Sequence, residues 1–114
     1  MYTGSLAAVS NREDWIQTGS LVDDTDAEVD LTLATFEMFV CRQGYPDSPI
    51  LTGTIANGKI TLPTTTSFQW AYTPDDMGTL CAETHDVFLR VTIAGIVTQI
   101  MSCTLPVVEG GPSA

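Results

Sequence analysis

An all-β chain folded as a two-sheet sandwich of about seven strands is what the sequence predicts, and three observations carry it. Thr, Val and Ile number 17, 9 and 7 of 114 residues, and such β-branched side chains fit a pleated backbone better than a helix. Apolar residues alternate with period two in several short runs, which places one face of each run in a core. Clusters of Gly, Pro, Asn and Asp interrupt those runs at nearly regular intervals, and no segment carries the 3.6-residue period of a long helix. A chain of 114 residues supports one core, so we expect an N-terminal arm over residues 1–11, a sandwich over 12–109 and a C-terminal tail over 110–114.

The elements follow in order. The arm is small and polar, with only Leu6, Ala7, Ala8 and Val9 to bury, and is therefore expected to become ordered on a neighbouring molecule. Trp15 to Val22 reads as a first strand. An acidic turn from Asp23 to Asp30 follows, kept open by like-charge repulsion. From Leu33 to Arg42, Phe36, Met38 and Val40 alternate with Glu37, Phe39 and Cys41, so the first set should face the core. Gly44 to Pro49 is turn chemistry. Ile50–Ala56 and Lys59–Leu62 flank Asn57-Gly58, a dipeptide suited to the two positive φ angles of a type I′ hairpin turn, and a hairpin is expected there.

Pro63 and the threonines after it break the ladder, and Ser67 to Tyr72 resumes it with Phe68, Trp70 and Tyr72 on one inward face. Thr73-Pro74-Asp75-Asp76-Met77-Gly78 supplies a capping hydroxyl, a proline at the first helical position, two acids in the first turn and a closing glycine. These predict one helical turn crossing between the sheets. Val87, Leu89, Val91 and Ile93 then alternate with Phe88, Arg90 and Thr92. Ala94-Gly95 turns the chain, and Ile96 to Leu105 pairs back. The economical arrangement of seven such strands is an immunoglobulin-like sandwich with a short helical turn.

Charge narrows the function classes. Four basic against fourteen acidic residues leave a formal charge of −10, a field that repels nucleic acid and anionic membrane, and neither is expected as a partner. No run approaches the roughly 20 apolar residues of a membrane helix, and the first residues lack the basic region of a signal peptide, so a soluble, cytosolically made protein is expected. Cys41, Cys81 and Cys103 are widely spaced with His85 as the single imidazole, which suits reduced thiols better than a zinc site and leaves a disulfide open for an extracellular setting.

Three constellations invite chemistry. Asp24, Asp26 and Glu28 fall at alternate positions as in a calcium loop, but Val29 stands where that loop needs glycine and Thr35 where it needs a bidentate glutamate. A solvated acidic turn and no metal is the expectation. Glu83-Thr84-His85-Asp86 offers an imidazole beside acids with no partnered nucleophile, so His85 is expected at the surface or in a structural hydrogen bond, and no enzyme activity or cofactor is expected. Trp15 and Tyr45 are the aromatics expected to be exposed. With Leu6 and Val9 of the arm they make up the expected partner-binding residues: Leu6, Val9, Trp15 and Tyr45. A carbohydrate-binding sandwich using Trp15 and Tyr45 on host-surface glycan is the alternative in a different class.

Across Asn11 to Glu109 the run Asn11-Arg12-Glu13-Asp14-Trp15, the acidic turn into Val29-Asp30-Leu31, Asn57-Gly58-Lys59-Ile60-Thr61, Phe68-Gln69-Trp70, Asp76-Met77-Gly78-Thr79-Leu80 and Thr104-Leu105-Pro106-Val107-Val108 resembles small structural proteins of tailed bacteriophage virions. It is similar to the immunoglobulin-like N-terminal domain of baseplate upper and tail-fibre-type proteins. The resemblance implies a non-enzymatic virion component at baseplate, tail-fibre adaptor, neck or head decoration. Such a protein is made in the host cytoplasm, forms a homo-oligomer and docks on other virion proteins. Those relatives continue into helical or fibre segments, so a chain ending soon after Pro106 is expected to be an adaptor, connector or decoration. None of these motifs is catalytic, so they speak to fold more than to role.

Overall fold

The computed structural model describes residues 2–22 and 25–111. Nine strands and one helical turn follow in order: β1 Tyr2–Ser5, β2 Val9–Ser10, β3 Trp15–Ser20, β4 Thr35–Arg42, β5 Pro49–Gly53, β6 Ile60–Thr64, β7 Ser67–Tyr72, α1 Pro74–Met77, β8 Thr84–Ile93 and β9 Ile96–Val108. They form two sheets. The larger runs β1-β9-β8-β4-β5, with β2 also on β9, and the smaller runs β3-β7-β6. In immunoglobulin terms β3, β7 and β6 are strands B, E and D, β9, β8, β4 and β5 are G, F, C and C′, and β1 with β2 is a leading strand on G. The protein is a two-sheet β-sandwich.

The inward residues are those the alternation assigns. Phe36, Met38 and Val40 from β4 and Val87, Leu89 and Val91 from β8 lie in one core with Phe68, Trp70 and Tyr72 from β7. The sheets meet through aromatic contacts, the Phe36 and Phe68 ring centroids standing 5.1 Å apart. Cys41 departs from the alternation and is buried too, because the β4–β5 register shifts between Val40 and Cys41 and a bulge re-aims a side chain. Leu33, expected to begin this strand, lies before β4 and is 89% exposed; the chain turns there, Ala34 N–H donating to the Leu31 carbonyl.

Two local expectations are corrected. Asn57-Gly58 does not close a hairpin, because β5 pairs with β4 and β6 with β7, so the chain changes sheets at this turn. Gly58 has φ +79° while Asn57 has no positive φ, one short of the two a type I′ turn requires. The Asn57 side chain does the turning instead: its Oδ1 accepts from the Thr54 and Lys59 backbone amides, while the Asn57 backbone N–H donates to Thr54 Oγ1. The two-residue turn with both φ angles positive is Ala94-Gly95, at +52° and +79°, between the paired Ile93 and Ile96.

The described part of the N-terminal arm, residues 2–11, is held by pairing within its own chain, where a neighbour was expected to order it. β1 pairs parallel with Met101–Thr104 and β2 with Val107 and Val108. Backbone pairing with β9 therefore satisfies a segment whose few apolar side chains suggested it had no way to bury itself. Val9 joins the core. Asn11 then fastens the entry to the body, donating to the Leu80 carbonyl and accepting from the Gly110 amide.

The crossing from the small sheet to the large one is the predicted helical turn. Thr73 and Asp76 form a reciprocal capping box around Pro74, each side chain taking a backbone N–H that the short helix leaves open. Lys59 reaches Asp76 from the β5–β6 turn. Gly78 closes α1 with an ordinary φ of −63°, so its smallness serves space and not conformation: a Cβ there would stand 3.3 Å from both Arg12 Nη1 and the Pro74 carbonyl.

Candidate functional site

The local sequence of β3, Trp-Ile-Gln-Thr-Gly-Ser, sends Trp15, Gln17 and Gly19 toward the core and Ile16, Thr18 and Ser20 outward. Trp15 is 3% exposed, stacked on Tyr72 at 5.8 Å and edge-on to Trp70 at 5.5 Å. The expectation of an exposed Trp15 is thereby overturned: six residues of pairing with β7 turn the indole onto the aromatic row it opposes. A Cβ on Gly19 would lie 2.9 Å from Phe68 Cζ, so the ring would have to shift to admit one. Gln17 points the same way yet is exposed, because no described residue covers the sheet beside it.

That uncovered space is a cleft of about 1060 Å³ between the sheets. One wall is β3 with Phe68 and Trp70, the other is the core face of β8 and β9, and the segment Leu6–Val9 borders it. In an immunoglobulin sandwich a first strand pairs with strand B; here, among the described residues, that segment pairs with β9 alone and β3 has one partner, β7. The cleft is the gap this leaves. Among the described residues, no acidic or basic side chain lines it. The residues that line it offer apolar contact, amide and hydroxyl hydrogen bonds and a strand edge.

The four residues expected to bind a partner divide. Leu6, Val9 and Trp15 all line the cleft, though Val9 and Trp15 are buried and Leu6 half-buried. Tyr45 stands apart on the β4–β5 turn, 57% exposed, with the Arg42 guanidinium 5.5 Å from its ring centroid. A sugar platform of Trp15 with Tyr45 does not form.

The other constellations resolve into structure. His85 is fully buried, correcting the surface alternative, and its Nδ1 lies 3.0 Å from the Glu83 carbonyl oxygen. Cys41 and Cys103 are buried and Cys81 is exposed, all three unbridged. Burial pushes the Cys41 and Cys103 thiols up from their ordinary values, away from the thiolate form that reacts. In the acidic turn, Asp23 and Asp24 lie outside the described residues. Val22 bridges to Glu28, and Asp30 accepts from the Thr32 hydroxyl and amide, which hold its carboxyl below the usual carboxylate range. Among the described residues no three His, Cys, Asp or Glu side chains are grouped to hold a metal.

No protein-family model matches this chain, and a search of curated proteins returns no match. Sequence reasoning placed Gln17, Thr18 and Gly19 in a strand but not on the wall of a cleft. The signal available was a strand free of charge and proline beside a turn rich in acids; which of its edges lacks a partner is a property of topology.

Proposed function

We propose that the chain is a non-enzymatic structural component of a tailed-phage virion, acting through protein–protein assembly at a baseplate, tail-fibre adaptor, neck or head decoration. The observation that carries the assembly reading is the open end of the sandwich: an uncharged apolar cleft beside an unpaired strand edge in a chain of charge −10. Surfaces of that kind bury themselves against protein, and a strand edge adds main-chain hydrogen bonds. The virion assignment is supported by the motif resemblance from Asn11 to Glu109. Ladders of four and three consecutive strands, β9-β8-β4-β5 and β3-β7-β6, suit a load-bearing part.

The test is quantitative mass spectrometry of particles purified from the phage or prophage that encodes the chain. The expected result is a fixed copy number per particle that survives washing in high salt. Abundance in the lysate with absence from particles would overturn the proposal.

A further inference from the structure

We infer that the free edge of β3 is a self-association site, at which a second copy of the chain adds its own β3 antiparallel to form one continuous six-stranded sheet across a two-fold axis. This deepens the assembly reading and rests on it. Comparison of the sheet edges carries the argument. β5 begins with Pro49 and adjoins a register shift in its pairing with β4. β6 contains Pro63 and a register shift against β7. On the remaining side, β1 and β2 are separated by residues 6–8, and Gly4 sits at φ +123°. Each of these edges thus carries a device that blocks pairing by another chain. β3 carries none: its six residues hold no proline, glycine with positive φ or charge, and pair with β7 in unbroken register.

A second copy fits this edge better than another occupant. Strands pairing antiparallel about a two-fold axis are complementary to themselves without further matching. Two chains of charge −10 meet at least cost where neither presents a charge, and the stretch from Trp15 to Val22 has none. The added strand would also lie over the mouth of the cleft, shielding Gln17 and the apolar wall beneath it. Charge remains just before the strand, where Arg12, Glu13 and Asp14 precede Trp15. Each chain carries −10, so two copies repel one another as wholes when they approach. Added salt therefore strengthens the dimer, opposite to an interface held by ion pairs.

Sedimentation of the purified full chain between 5 and 200 µM, at low and high salt, tests this. The expected result is a monomer–dimer equilibrium that tightens with salt. Thr18→Lys and Ile16→Lys, both at exposed positions, should each weaken it at least tenfold, while Thr61→Lys on β6 leaves it unchanged and all three keep the wild-type circular dichroism. Two lysine positions are used so that loss of fold in one leaves the other decisive. A chain monomeric at 200 µM in high salt, or a dimer indifferent to both β3 lysines, would overturn the inference. So would a monomer whose cleft takes up one equivalent of an apolar dye, since a small ligand would then be the occupant. A chain that dimerises through β3 yet never enters particles keeps this inference and defeats the assembly proposal. Normal entry of the Thr18→Lys chain into particles does the reverse.

Discussion

Replacing Trp15 by alanine separates a core indole from a surface one by a wide margin. A buried tryptophan removes about 150–250 Å² from water, which at ~25 cal/mol per Å² is worth about 4–6 kcal/mol. A denatured chain already buries part of that area, which brings the figure to about 3–5 kcal/mol, the usual range for such truncations. Trp15 stacks on Tyr72 and meets Trp70 edge-on, but it also borders the cleft, where water can enter the space left behind; the lower part of the range, about 3–4 kcal/mol, is expected. With a guanidinium slope of about 3–4 kcal/mol/M for a domain of this size, the unfolding midpoint followed by circular dichroism should fall by about 1 M. A surface tryptophan would change stability by about 0.5 kcal/mol at most. A midpoint shift below about 0.2 M would refute the packing of β3 on β7 described above.

Four further perturbations read other parts of the structure. A Cβ on Gly53 would stand 2.6 Å from Tyr72 Oη, so Gly53→Ala should cost about 1–3 kcal/mol; Tyr72→Phe, which removes a buried hydroxyl with no hydrogen-bond partner among the described residues, should be near neutral alone and rescue that loss, and additive effects would contradict the contact. Ala94→Asn relieves a left-handed alanine at φ +52° and should raise stability by about 0.5–1 kcal/mol, a lower midpoint contradicting the turn. The hydrogen bond from Lys59, with those from Thr73, holds the Asp76 carboxyl below its ordinary value against the opposing effect of burial. A lowered folded-state pKa gives stability that is present above the unfolded value near 4 and lost as pH falls through the folded value. The gap between wild type and Asp76→Asn should accordingly shrink between pH 6 and pH 2, and a gap that widens would reverse the sign. Deleting residues 1–10 strips two pairings from β9 and takes Val9 from the core, so a loss above about 2 kcal/mol is expected; an unchanged midpoint would mean that the arm adds nothing to the fold.

The parts of the fold legible in the sequence were those decided by local pattern. Phe36, Met38 and Val40 declare their face by period two, and Thr73-Pro74-Asp75-Asp76 declares a helix start because capping is satisfied within one turn. Asn57-Gly58 shows the limit of such reasoning. Its turn chemistry is real, but whether the strands on either side join one sheet or two depends on what β4 and β7 offer them, and that is a long-range competition. Trp15 failed for a related reason: an aromatic beside Glu13 and Asp14 looks exposed until the strand it begins is paired. The arm was misjudged because side-chain burial was weighed without the backbone hydrogen bonds that β9 supplies. The candidate site was the least legible feature, since a missing partner for β3 leaves no mark on the residues of β3 itself.

The central claim is that the open end of the sandwich, at β3, is where the molecule assembles. Amide hydrogen exchange over residues 15–20, compared between dilute chain and chain in its assembled state, tests it most directly. The account predicts slowed exchange at the amides facing the free edge of β3, with the edges formed by β5 and β6 unchanged. Unaltered exchange in β3 with new protection at Tyr45 or along β6 would contradict it.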